Sequence, residues 1–171
     1  MPELKFYRMY PEVMLPDFGT KDSACWDIRA FLDGDDPIVC YSPENRKYTK
    51  IPGDIYEGEI ELSPKERCLV PTGLILDIPL GYSVRVHLRS SVGLKQGLIL
   101  PNGEGIIDAD YHNELFIMVT NNSNIKTFIK DGERIAQGEL VKCLKYKIVD
   151  SEVPPSKEVE RVGGFGSTGK D

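Results

Sequence analysis

Sixteen glycines and twelve prolines cut this 171-residue chain into short pieces, and that punctuation limits its folds more than any other feature. A long helix does not survive breakers so closely spaced: proline removes a backbone donor, and glycine loses the most conformational freedom on ordering. The pieces between the breaks are rich in β-branched residues: EIELSP, RCLVPTG, LILDIP, YSVRVHL, GLILPN, ELFIMVTN, IKTFIKDG and LVKCLKYKIV. YSVRVHL alternates, with Tyr82, Val84, Val86 and Leu88 on one face and Arg85 and His87 on the other. That is the pattern of a half-buried strand. Pro79–Gly81 and Lys130–Gly132 read as turns between strands. Only Ser90–Lys95 leaves room for a helix, and a short one. The expected class is all-β: a sandwich, barrel or jelly roll.

The length suits one domain with a proper core. Apolar residues at 40% and charged residues at 28% are the balance of a soluble globular chain. No apolar run reaches the ~18 residues of a membrane-spanning helix. MPELKFYRMYPEV lacks the apolar stretch of a secretory leader. These features point to the cytoplasm, or to the host-cell cytoplasm if the source is a virus. With 21 basic and 27 acidic side chains the net charge is −6. That argues against sequence-independent nucleic-acid binding, which needs a basic surface, but not against a small phosphorylated ligand. Cys25, Cys40, Cys68 and Cys143 form no CxxC pair, and neither His87 nor His112 sits in HExxH. A zinc site is poorly supported, and reduced, buried or half-buried thiols are expected.

Two regions stand apart from a body spanning residues 1–150. Residues 33–57 are polar, carry three prolines and read as a surface excursion with room for a local hairpin. Residues 151–171 hold a proline pair and then four glycines, a composition that no core strand uses. They form either a disordered tail or an arm that orders on something.

Four clusters could carry chemistry. VGGFGSTGK lacks the spacing of the phosphate-binding pattern GxxxxGK(S/T) and has no helix after it. It does combine glycine backbone able to form an anion nest with Ser167, Thr168, Arg161, Lys170 and one aromatic, Phe165, able to stack on a base. In GIIDADY, Asp108 and Asp110 would share a face on extended backbone, an arrangement for a general base or a metal. Taken alone, they are better explained as an ordinary turn with solvated aspartates. Arg89-Ser90-Ser91 ends a strand with a cation and two hydroxyls, which suits phosphate oxygens or a plain helix cap. GERIAQ alone is a turn entering a strand.

Together these segments resemble the trimeric dUTP pyrophosphatase (dUTPase) family. SACWDIRA (23–30), RSS (89–91), NGEGIIDADY (102–111), GERIAQ (132–137) and RVGGFGSTG (161–169) are similar to its five motifs, in the family's order. The resemblance implies a jelly-roll-like all-β protomer and a homotrimer with active sites built between chains. It implies a C-terminal arm, 151–171, that closes over each site. The implied reaction is hydrolysis of dUTP to dUMP and pyrophosphate, with Mg2+ on the triphosphate. That reaction keeps uracil out of DNA and supplies dUMP for thymidylate synthesis.

By the same resemblance Asp108 activates water, Tyr111 packs under the deoxyribose, and Asn102 reads uracil with backbone groups near Ile106 and Ile107. Arg89, Ser90, Ser91 and Gln137 hold phosphates, and Asp27 holds the magnesium through water. Phe165 stacks on the uracil, while Arg161, Gly166, Ser167 and Thr168 reach the γ-phosphate. The chain departs from the family pattern at Cys25, Trp26, Ser91 and His112-Asn113, and Arg161 lies one residue nearer Phe165 than usual. Two other readings share the scaffold: a dCTP deaminase and a non-catalytic nucleotide-binding protein. The deaminase's catalytic glutamate would fall on Met118, which carries no exchangeable proton. A structural jelly-roll module would explain the strands and the glycine tail but not five ordered polar motifs.

Overall fold

The structure is a computed structural model that describes residues 1–34, 36–51 and 58–156. Twelve strands are present among them. The first six are β1 (Lys5–Arg8), β2 (Trp26–Arg29), β3 (Ile38–Tyr41), β4 (Lys47–Lys50), β5 (Glu59–Leu62) and β6 (Arg67–Asp77). The rest are β7 (Tyr82–Leu88), β8 (Leu98–Ile99), β9 (Gly105–Ile107), β10 (Glu114–Asn121), β11 (Thr127–Lys130) and β12 (Arg134–Lys142). The one described helix is the short turn Val92–Gln96 between β7 and β8, inside the stretch that left room for it.

The strands form three sheets, ordered β4-β3-β6-β10-β8 with β1 also on β6, β11-β5, and β2-β12-β7-β9. Every described pairing is antiparallel. All three sheets feed one apolar cluster: Val70, Ile117 and Val119 from the first, Ile60, Leu62 and Ile129 from the second, Ile28, Val84 and Ile135 from the third. This is the expected all-β, jelly-roll-like architecture. In β7, Val84 and Val86 are buried while Arg85 and His87 face outward, as the alternation requires. Both turns form: Tyr82 N–H donates to the Pro79 carbonyl (3.1 Å) and Glu133 N–H to that of Lys130 (3.1 Å). Gly132 holds the second turn at φ +70°, a conformation costly for any side chain.

Two local expectations are corrected, and a third is sharpened. RCLVPTG and LILDIP are not two strands but the single eleven-residue β6, which runs through Pro71 and Gly73. The missing proline donor is accommodated where the β10 partner shifts register, between Glu114 and Phe116. There the Glu114 carboxylate accepts the Thr72 and Gly73 N–H groups at 3.1 and 2.7 Å. Second, LVKCLKYKIV is a strand only to Lys142. Beyond it Leu144, Tyr146 and Ile148 alternate but stay exposed, with no strand beside them among the described residues. Third, the described part of 33–57 forms the local hairpin that the sequence left room for, and that hairpin packs on the body. In this β3–β4 hairpin Ile38 and Cys40 are buried, and Cys40 pairs with Cys68 of β6.

Two stability predictions arise here. A Cβ on Gly138 would lie 2.5 Å from Cζ2 of the buried Trp26 ring. Gly138→Ala should therefore cost about 1–3 kcal/mol by overpacking, measured by urea denaturation. The chain's single tryptophan makes its own emission the readout. Burial raises the Glu114 carboxyl above its ordinary value, against the two amides that hold it down. A raised acid binds more protons folded than unfolded, so its contribution is fully present below the ordinary glutamate range. It is lost as pH rises through the folded value. Glu114→Gln should flatten that fall, seen as a smaller loss of stability between pH 4 and pH 7.

Candidate active site

The short strand β9 is the edge of its sheet, paired only with β7 through Val84↔Ile107, Arg85↔Ile106 and Val86↔Gly105. Its other edge carries backbone N–H and C=O groups with no strand beside them among the described residues, a ready template for a planar polar ligand. After Ile107 the chain turns, with Tyr111 N–H donating to the Asp108 carbonyl at 3.1 Å. Asp108 and Asp110 therefore do not share a face of extended backbone. Both nonetheless border the same cleft of about 530 Å³.

Asn102, Ile106, Ile107 and Tyr111 line that cleft too, so the structure gathers six residues of one sequence segment around a single space. Tyr111 is held in place by its hydroxyl, which donates to the Glu114 carbonyl at 2.8 Å. The facing wall is apolar: Leu69, Phe116 and Met118 from β6 and β10. Sequence reading missed Leu69 and Phe116, because strands distant in sequence meet there only through sheet order. Met118 does border the cleft, and its thioether can neither give nor accept a catalytic proton.

The second group lies on the outer face of β2-β12-β7. The register sets Gln137 directly between Asp27 and His87. The Asp27 side chain, 12% exposed, is clamped by two guanidinium groups: Arg89 Nε on Oδ1 at 3.1 Å and Arg134 Nη1 on Oδ2 at 3.0 Å. Arg134 went unnoticed in the sequence. Its signal was a cation three residues before Gln137, meaningful only once β12 is paired with β2. Arg89, Ser91 and Arg134 border a second cavity of about 320 Å³, joined by Lys95 from the helical turn. Glu133 lines it as well, so three cations face one carboxylate, a positive balance suited to an anion. Ser90 sits exposed at the start of that turn. Gln96 Nε2 ties the turn to Glu133 at 2.6 Å.

Within one chain the two groups line separate cavities. Arg161, Phe165, Gly166, Ser167 and Thr168 lie outside the described residues.

An antiparallel jelly-roll body with a cleft bordered by two carboxylates at an edge strand and a separate cavity bordered by three cations defines a class of all-β proteins with room for a small charged ligand. Comparison with known proteins gives the family. The dUTPase family model matches residues 54–169. A deoxyuridine 5'-triphosphate nucleotidohydrolase of Nautilia profundicola is 32% identical over 98% of this chain and 99% of its own. One from Finegoldia magna is 34% identical over 91% of each. Among solved structures, a Staphylococcus bacteriophage 80alpha dUTPase with dUPNHPP superimposes with a TM-score of 0.73 at 22% identity, covering 98% of both chains. The Streptococcus mutans dUTPase gives 0.63 at 24% identity, over 86% of this chain and 98% of its own. The chain belongs to the dUTPase family, and so to the hydrolases of nucleotide metabolism.

Proposed function

We propose that the chain hydrolyses dUTP to dUMP and pyrophosphate, with Asp108 activating the attacking water, in sites shared between the copies of a homotrimer. The observation that carries this is the convergence of Asn102, Asp108 and Tyr111 on one cleft at the free edge of β9.

The uracil end lies against that edge. Uracil offers O4 as acceptor and N3–H as donor, and the Asn102 amide and the backbone at Ile106 and Ile107 answer both. Cytosine reverses both groups and would leave buried polar atoms unpaired, a penalty worth ~10⁴-fold in discrimination. The Tyr111 ring, fixed by its bond to the Glu114 carbonyl, packs under the sugar and leaves no space for a 2′-hydroxyl. Tyr111→Ala should admit UTP, raising UTP turnover relative to dUTP by at least ~10-fold, the scale of one small steric contact. Tyr111→Phe should not.

Asp108 takes a proton from water as its oxygen bonds to the α-phosphorus and the bond to the bridging oxygen breaks. The pyrophosphate leaves carrying the electron pair. Arg89, Ser90, Ser91 and Gln137 hold the phosphate oxygens where that charge builds. With Nε committed to Asp27, Arg89 still has its terminal amines for phosphate.

Magnesium on the triphosphate would neutralise charge on the leaving group. Asp27 fits an indirect role toward it. Both of its oxygens are engaged by arginines, so the carboxylate reaches a hydrated ion through water more readily than by direct ligation. Among the described residues no cluster of three or more His, Cys, Asp or Glu is suited to hold a metal without the nucleotide.

Sharing between copies is supported by the separation of the two groups in one chain. The exposed alternation Leu144, Tyr146, Ile148 supports it too, as a strand pattern without a partner. From 151 onward the arm would close over the nucleotide, with Phe165 on the base and Arg161, Gly166, Ser167 and Thr168 at the γ-phosphate. In the cell the reaction would keep uracil out of DNA and supply dUMP.

The deciding experiment incubates the protein with dUTP, dCTP, dTTP and UTP, with and without magnesium, and measures pyrophosphate and ammonia. Pyrophosphate from dUTP alone is expected. Ammonia from dCTP would overturn the reading. Light scattering should give three times the 19.2 kDa chain mass; a fully active monomer would refute shared sites.

A further inference from the structure

Two of the four free thiols meet in the core. Cys40 on β3 and Cys68 on β6 are directly opposed in the antiparallel register, with Sγ atoms 3.1 Å apart and residues 0% and 2% exposed. Opposed residues of an antiparallel pair have Cα atoms about 4.5–5.5 Å apart, inside the 4.4–6.8 Å span of protein disulfides. The sulfurs need to close by only about 1 Å to bond, so no strand has to move far.

The surroundings make the pair unequal. Tyr48, opposite Cys40 on β4, donates its hydroxyl to the buried Glu66 carboxylate. Lys50 lies on the same carboxylate at 2.6 Å. The contact with Cys68 and the Lys50 ammonium lower the Cys40 thiol, against burial and the Glu66 charge. The same contact, with burial, pushes Cys68 up. With the sulfurs 3.1 Å apart, whichever thiol reacts first has its resolving partner already in place.

Access follows from the topology. β3 pairs with β6 at only two positions, Cys40↔Cys68 and Tyr41↔Arg67, and β4 is the sheet's edge. Opening this two-position seam exposes both sulfurs without disturbing the β6–β10 core, the kind of local opening that costs far less than global unfolding.

We propose that Cys40 and Cys68 form a redox modification site, at which a peroxide converts the thiol pair into a cross-strand disulfide that staples the β3–β4 hairpin to β6. One sulfur of the pair attacks a peroxide oxygen, the O–O bond breaks, and the departing hydroxide takes that thiol's proton, leaving a sulfenic acid and water. The second sulfur then attacks the sulfenic sulfur, and the hydroxide that leaves takes the second thiol's proton as another water. Two thiols and one hydrogen peroxide give one disulfide and two waters, the sulfurs losing the two electrons that the peroxide gains. This chemistry is independent of the nucleotide reading.

The full chain is exposed to hydrogen peroxide, alkylated, and digested with trypsin. The expected product is a bond joining the peptides Ala30–Arg46 and Cys68–Arg85, with loss of two of the four thiols and full reversal by a thiol reductant. Closing the loop should raise Tm by on the order of 10 °C. A variant carrying Cys25→Ser and Cys143→Ser should behave identically. Cys40→Ser should show neither the linked peptides nor the Tm rise. A folded chain that keeps all four thiols while a reference dithiol oxidises would overturn the proposal. So would a bond to Cys25 or Cys143, or a Tm that falls on oxidation.

Discussion

Asp108→Asn should lower dUTP turnover ~10²–10⁴-fold, the usual worth of a positioned general base. Asparagine has the same shape and still accepts a hydrogen bond, but it takes no proton from water at neutral pH. The turn should survive, because it is closed by the Asp108 backbone carbonyl and not by its side chain. Binding of a non-hydrolysable dUTP analogue should change little, which separates loss of chemistry from loss of fold. Asp110 borders the same cleft, so Asp110→Asn is the control. Were Asp110→Asn the variant that abolished turnover, the base would be assigned to the wrong carboxylate.

Arg89→Ala should cost ~10²–10³ in kcat, the scale of removing one preorganised donor from developing charge. Two effects combine. The phosphates lose a fork of donors, and Asp27 loses one of the two cations that clamp it. The protein should still fold, because the Arg89 backbone N–H goes to the Ile135 carbonyl regardless of side chain (3.1 Å). Arg89→Lys should recover only part of the loss: a single ammonium cannot offer one donor to Asp27 and a fork to phosphate. Steady-state kcat and KM on both variants check this. An unchanged kcat would place the phosphates elsewhere.

Both variants lie in short motifs, and short motifs were what the sequence displayed best. β7 was legible because its period-two pattern extends over seven residues with a turn before it. The Val92–Gln96 turn was legible because Ser90–Lys95 holds no proline and no strand alternation, and Gly97, in the left-handed region, ends it. β6 was not, since Pro71 and Gly73 ordinarily end a strand. Only the shifted β10 and the Glu114 carboxylate, which capture the local amides, let the strand continue, and both are contacts across more than forty residues. The segment after Lys142 misled in the opposite sense, with strand periodicity but no strand beside it among the described residues.

The candidate site divides the same way. Asn102 through Tyr111 is one stretch of chain and could be read as such. Arg134 becomes visible only when register brings it to Asp27, and Leu69 and Phe116 only when sheet order sets them across the cleft. Residue types can be read locally, whereas which of them meet is decided by pairings between distant strands.

The free edge of β9 has a consequence for solubility. A bare strand edge is a seam on which other chains can add, layer upon layer, toward fibrils. Here it is three residues long, starts at a glycine and leads directly into a turn bearing two acidic side chains. That is too brief and too negatively charged a stretch for stacking to propagate, so backbone groups can stay open to solvent without making the protein self-adhesive.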